Sequence, residues 1–523
     1  MSEDLAIKTA KGTTAIGVQT TVNALLGLLL FMMFARFVTK TEMGVYGGLM
    51  LIFGILGMLG ILGMDLAVSR YIPYLHGKNK ENLISTVLKK TLLVTLTSSL
   101  ILCLFTVYFS NQLSFLLFST KVYSWLVVIT AVATLTSTIG LYFIGALQGF
   151  QKYGNLAVFR ILSQIFRFGV TVWLLILGFG VAAIFLGWIS FYILFTVLAF
   201  VVIFKTIKNI NPQNINTSME QETVDLKSLV GFSFPMLIYS ITLYLSNSID
   251  QYVVLGFLGT KPMGVYTVVI TAASSILTII GIPLISTLIP GMSETYGKGG
   301  TEKVSTAIQL STRYISMFFI PACVLLAVLS PIVLYILAGK AYIEASLPLF
   351  IVSLGLCTYG FSITLISAIT ALGKTVKVAL AVLLAAIVEL VFAVLLVPLL
   401  AVVGAALSRT FMYTSMLILL FFLGHKLIKI SIDKQTLWKS TVASTVMAFV
   451  LYPVALSTNY SLILTPIYLI IAGTVYLTIL LNLKTLKMED LEFTAKILPK
   501  GQKILPHIKQ TIQKHKTLNN LLT

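Results

Sequence analysis

Apolar runs of about 20 residues recur along this chain from end to end, separated by short polar clusters, and each run is long enough to cross a hydrocarbon core about 30 Å thick. The pattern predicts about fourteen spans: 13–38, 45–72, 86–110, 122–148, 155–178, 181–206, 231–258, 264–290, 305–330, 346–371, 376–400, 402–425, 438–457 and 463–483. The first run is too long for a signal-peptide core and lacks a small-residue cleavage site, so it is expected to stay in place. The one long polar break before the tail is 209–226, NINPQNINTSMEQETVDL.

Composition sharpens this picture. The chain has 523 residues, of which 58% are hydrophobic and only 10% charged. A soluble domain carries roughly 25% charged residues. The net charge of +19 would suggest nucleic acid in a soluble protein. Here Lys and Arg sort by loop instead: with the N-terminus inside, thirty fall on inner segments, five on outer ones, and Arg409 within a span. The positive-inside rule then puts both termini in the cytoplasm of a multi-pass cell-membrane protein, and no nucleic-acid partner is expected. Cys103, Cys323 and Cys357 lie in apolar runs and read as packing residues. His76, His425, His507 and His515 form no ligand cluster, so neither metal nor cofactor is expected.

One motif is written twice. Met43-Gly44-Val45-Tyr46 recurs as Met263-Gly264-Val265-Tyr266, 220 positions on. At the same offset Gly77-Lys78 matches Gly297-Lys298, and Ser85-Thr86 matches Ser305-Thr306. At 222, Ile144, Ala146 and Lys152 match Ile366, Ala368 and Lys374. These collinear matches predict a duplication in which spans 1–6 correspond to spans 7–12. Six is even, so both copies share one orientation, as parallel repeats about an axis along the membrane normal. The expected organisation is a bundle at 1–208, a cytoplasmic linker at 209–226, a second bundle at 227–430, two extra helices at 431–485, and a basic tail at 486–523. In the tail, Ile504, Leu505, Ile508, Ile512 and Leu518 could share one face of an interfacial helix. The fold class is all-α and polytopic: two six-helix bundles with pseudo-two-fold symmetry plus two C-terminal helices.

The stretch ARFVTKTEMGVYGGLMLIFGILGMLGILGMDLAVSRYIPYLHGK, Ala35–Lys78, resembles the N-terminal signature of polysaccharide transporters of the oligosaccharide-flippase, Wzx-like kind. SNSIDQYVVLGFLGTKPMGVY, Ser246–Tyr266, is similar to its second-half counterpart, and ITALGKT (369–375) and LVPLLAVVGAALS (396–408) also fit. The superfamily includes multidrug exporters and peptidoglycan-precursor flippases. The resemblance implies a fourteen-helix fold that moves a polyprenyl-phosphate-linked glycan across the membrane by alternating access, acting as a monomer among membrane lipids without bond chemistry. It leaves a coupling ion, H+ or Na+, open. Span 1 carries Gln19 and Asn23 where some precursor flippases carry basic residues, which points away from a peptidoglycan precursor.

Polar residues inside spans are few and usually face protein or water. Arg160, Gln164 and Arg167 share one face of span 5, where two guanidinium groups suit a phosphate or diphosphate; the alternative is snorkelling to the interface. Ser240, Tyr244, Asn247 and Gln251 in span 7, and Gln19 and Asn23 in span 1, could line a cavity for sugar hydroxyls or hydrogen-bond between helices. Arg36 and Asp250 could close the outer side as a gating pair. Glu389 and Arg409 flank an expected tight turn at 400–402, as a structural pair or with Glu389 as an ion-coupling carboxylate. Gly54, Gly57, Gly60 and Gly63 in span 2 serve close packing or bending, and Asp65 after them is a candidate gating or ion-coupling residue. An ion-coupled multidrug exporter of the same fold is the competing transport reading. A membrane glycosyltransferase or polymerase would need more acid on its outer loops than Glu42 and Glu344.

Overall fold

A computed structural model of the chain describes residues 2–78, 80–209 and 226–485. Among these it is helical with no strand, and twelve helical stretches are long and apolar enough to cross a membrane. The expected linker and amphipathic tail lie outside the described residues. The longest stretch, Thr375–His425, breaks at Ala401, whose φ of +51° interrupts the helix. It therefore covers two of the fourteen expected spans, divided at the expected turn.

By contact the chain forms two compact units. The first comprises Met1–Thr271, Leu337–Gly339 and Val382–Ser408. Its helices are α1 (Ser2–Phe37), α2 (Lys40–Ile61), α3 (Met64–Gly77), α4 (Asn82–Tyr108), α5 (Ser110–Phe118), α6 (Ser124–Gly149), α7 (Tyr153–Ile176), α8 (Val181–Asn209), α9 (Leu226–Ser246), α10 (Ile249–Leu258) and most of α11 (Thr260–Ile276). Thr39 caps α2: its Oγ1 accepts from the Glu42 N–H at 3.2 Å, and Glu42 Oε2 accepts from the Thr39 N–H at 2.8 Å. This reciprocal box satisfies two N–H groups that the first turn leaves open.

Two expected spans are broken. Leu62 and Gly63 take positive φ, so span 2 becomes α2 and α3. Gly63 is required there, because a Cβ would also lie 2.7 Å from the Ser233 carbonyl oxygen. Span 7 is interrupted at Asn247–Ser248 and restarts as α10, with Asp250 in its first turn. Ser240, Tyr244, Asn247 and Gln251 therefore do not form a single helical stripe, since the 3.6-residue period does not carry across the break.

The core of the first unit joins α3, α4, α6, α7 and α8 through Val68, Val87, Tyr142, Ala146, Leu156 and Phe195. Tyr142 donates to the Leu88 carbonyl at 2.8 Å, so its buried hydroxyl is satisfied. Hydroxyls within spans also donate one turn back, as Thr91 does to the Val87 carbonyl at 2.7 Å. Hydrocarbon offers no other partner to such groups.

The second unit comprises Ala272–Ile336, Lys340–Ala381 and Arg409–Thr523. It contains α12 (Ile282–Tyr314), α13 (Ile320–Val328), most of α14 (Ser330–Ala338), α15 (Ser346–Ala371), the ends of α16 (Thr375–His425), α17 (Lys434–Ser457) and α18 (Thr465–Asn482). Asp433 caps α17, its Oδ1 accepting from the Thr436 N–H at 3.0 Å. Val328, Ile332, Met447, Leu451, Tyr468 and Tyr476 form the core that ties α13 and α14 to α17 and α18.

Candidate functional site

A polar seam runs inside the first unit where α7 packs between α1 and α8. Arg160, Gln164, Arg167 and Thr171 recur at helical spacing along α7, with Gln164, Arg167 and Thr171 buried and Arg160 half-buried. From α1, Gln19 is buried and its Oε1 accepts from Arg160 Nη1 at 3.4 Å. Asn23 follows one turn later and is half-buried. The structure thus places five of the expected substrate-binding residues on two packed helices, Gln19 and Asn23 on α1 and Arg160, Gln164 and Arg167 on α7, with Gln19 and Arg160 in contact.

Arg167 is only 7% exposed. Its guanidinium lies over the Trp188 ring of α8, 3.4 Å from the centroid. Trp188 also stacks with Tyr192 and Phe53, at 5.6 and 6.1 Å between centroids. Gly187 lets α7 and α8 meet here; a Cβ on it would overlap the Thr171 hydroxyl and lie 3.5 Å from Arg167 Cγ. Ser163 Oγ, Thr171 Oγ1, Asn23 Oδ1, Trp188 Nε1 and Arg167 Nε are buried without a protein hydrogen-bond partner. Each such group costs about 1–3 kcal/mol if left unmet by water or another polar group. Trp188, Tyr192, Ser163 and Thr171 escaped sequence reasoning. Ser163 and Thr171 sit one turn either side of Arg167 and could have been found by that spacing, whereas the α8 aromatics carry no local signal.

The remaining expected residues are dispersed. Tyr244 is a packing residue of α9 on α2: its ring covers Gly54, and its hydroxyl donates to the Leu51 carbonyl at 2.9 Å. Asn247 is exposed and donates to Leu243 O at 2.7 Å; Ser240 and Gln251 are half-buried. Asp250 is fully buried, and its carboxylate accepts from the Tyr266 hydroxyl and from the Gln251 N–H at 2.8 Å. Arg36 is exposed in the last turn of α1. Asp65, half-buried, opens α3, and its backbone lies against Gly145 of α6. Glu389 and Arg409 are both buried, on either side of the Ala401 break. Among the described residues no three His, Cys, Asp or Glu side chains come together as a metal site.

The second unit carries an apolar groove of about 490 Å3, bounded by α13, α14, α15 and α17. Leu347, Phe350, Phe449, Tyr452 and Tyr460 line it.

The sequence model of a family described as polysaccharide biosynthesis protein matches residues 9–296. A membrane protein of Methanocaldococcus jannaschii is 22% identical over 434 residues, covering 81% of this chain and 85% of that one. Among solved structures, the lipid II flippase MurJ in an inward closed conformation aligns with a TM-score of 0.67 at 17% identity, over 88% of this chain and 97% of that chain. An inward-facing multidrug resistance MATE family transporter of the MOP superfamily aligns with a TM-score of 0.61 at 16% identity, over 79% and 97%. At such identities the likeness is one of fold.

Proposed function

The chain belongs to the polysaccharide biosynthesis protein family, and we propose that within it this protein is a flippase for a lipid-linked oligosaccharide or polysaccharide precursor. It lowers the barrier to moving a polar headgroup through hydrocarbon and breaks no bond. The observation that carries the reading is the polar seam of Arg160, Gln164 and Arg167 on α7, met by Gln19 of α1. A guanidinium binds phosphate oxygens in a planar fork, and the amides and hydroxyls beside it suit sugar hydroxyls. The phosphate end of the substrate is assigned to Arg160 and Arg167. Alternating access, both termini in the cytoplasm and a monomer complete the proposal. Family membership and the MurJ-like fold support it.

The MATE-like fold keeps the exporter reading in play. Purified protein in liposomes separates the two. A flippase makes a fluorescent polyprenyl-diphosphate oligosaccharide on the inner leaflet accessible to an external quencher, with or without an ion gradient. Movement of an organic cation under an H+ or Na+ gradient, with the glycolipid immobile, would establish the exporter instead.

A further inference from the structure

A second polar cavity lies wholly within the second unit, between α12, the start of α17 and the residues just after α18. Its volume is about 310 Å3, near the lower end of small-molecule sites, roughly 300–1,000 Å3. Among the described residues, Arg313, Lys439 and Lys484 line it against one acid, Asp433. That acid is occupied as the cap of α17: Oδ1 accepts from the Thr436 N–H, and Oδ2 from Thr436 Oγ1 at 2.7 Å. Arg313 Nη2 donates to the Thr485 carbonyl at 3.2 Å, which turns the 484–485 segment toward α12. Thr485 itself is 3% exposed, and its Oγ1 has no protein partner.

Three cations, the start of α17 and an unmet hydroxyl converge on one cavity, and among the described residues a capping carboxylate is the one acid in its wall. This is the electrostatic complement of a multivalent oxyanion. Depth separates the sources of such a group. Asp433 and Lys484 lie one and two residues outside the membrane-spanning helices Lys434–Ser457 and Leu462–Asn482. Trp438, in the first turns of α17, is 70% exposed, as expected of a ring held at the headgroup level. Leu310 adds an apolar wall. We infer that this cavity binds the phosphodiester headgroup of an anionic membrane phospholipid, and so joins α12, the start of α17 and the segment after α18 around one lipid.

The test is binding by the intact chain, read as the shift of its thermal midpoint in detergent. The probes are dioctanoyl phosphatidylglycerol, dioctanoyl phosphatidylcholine and glycerol 1-phosphate. The phosphatidylglycerol should raise the midpoint saturably, and the other two should have little effect. Lys439→Gln and Lys484→Gln should each weaken that response about fivefold, the size expected of one basic side chain at an anionic lipid surface. Both side chains reach solvent, so both variants should melt as wild type without lipid. Lys298→Gln, an exposed lysine paired with Glu294 elsewhere on α12, should keep the full response. An equal response to phosphatidylcholine, or an equal loss in Lys298→Gln, would overturn the site. A response to glycerol 1-phosphate as strong as to the lipid would assign the cavity to a soluble anion and overturn the lipid. Transport plays no part in the readout, so its failure and that of the flippase reading are distinguishable.

Discussion

Gly44 and Gly264 are reciprocal contacts. A Cβ on Gly44 would overlap the Thr260 carbonyl, and a Cβ on Gly264 would overlap the Lys40 carbonyl. The four positions obey the 220-residue offset, so each copy of the repeated turn presses its glycine on the residue that opens the other copy's helix. An isologous contact has this form: residue i meets j, and j meets i. The duplicated motif is thus explained by packing, since only glycine lets the N-termini of α2 and α11 approach this closely.

Gly44→Ala should therefore push backbone against backbone, with no flexible side chain to yield. Overpacking of this kind costs about 1–3 kcal/mol. Gly264→Ala should cost as much, and the double variant less than the sum, because the first substitution already parts the helices. Gly57→Ala, which faces open space on α2, should leave the thermal midpoint unchanged or raise it. Thermal unfolding of the four variants decides the matter; strict additivity would contradict a shared crossing.

The two tyrosines of the repeat have diverged. Tyr46 sits among rings, 4.9 Å from Phe34 and 6.3 Å from Phe185. Tyr266 donates to buried Asp250 and lies 3.3 Å from the Ala405 carbonyl oxygen. Tyr266→Phe removes a donor from a fully buried carboxyl group, a loss of about 1–3 kcal/mol. Tyr46→Phe keeps its ring contacts and should cost less. Paired melting curves of the two variants test the difference, and equal midpoints would refute it.

What the chain reveals locally it reveals well. The turn at Ala401 and the helical spacing of Arg160, Gln164 and Arg167 both rest on neighbours within a few residues. The breaks at Leu62–Gly63 and Asn247–Ser248 were harder, because no proline marks them. Gly63 and the Ser248–Asp250 start of α10 were the available signals, yet uninterrupted hydrophobicity on both sides made one long span the simpler reading. The stacking of Arg167 on Trp188 and the bond from Tyr266 to Asp250 depend on which helices meet. That is decided by packing of whole faces, and nothing in a stretch of twenty residues encodes it.

Orientation is testable without any transport assay. Lys78, Lys298 and Lys261 are all exposed. In a background lacking Cys103, Cys323 and Cys357, single cysteines at 78 and 298 should react with a membrane-impermeant maleimide only from the cytoplasmic face. A cysteine at 261 should react only from the outside. Labelling of 261 from the cytoplasm would reverse the assignment that the excess of Lys and Arg supports.

The sharpest prediction concerns Arg167. If it receives the phosphate end of the substrate, Arg167→Ala should abolish flipping in liposomes while the protein remains monodisperse in detergent. Arg167→Lys should keep part of the activity, since the charge stays while the planar fork and its stack on Trp188 are lost. A purely structural role predicts otherwise: both variants would then fail in proportion to their loss of thermal stability. Trp188→Phe separates the two further. It preserves an aromatic face for the guanidinium and removes the unmet Nε1 donor together with one edge of the indole, so its activity is read against its own thermal midpoint. With the substrate phosphate held by Arg167, its flipping rate should fall by less than about tenfold, as for loss of one hydrogen bond of roughly 1 kcal/mol. Full activity in Arg167→Ala would remove this side chain from the pathway and, with it, the observation on which the flippase reading rests.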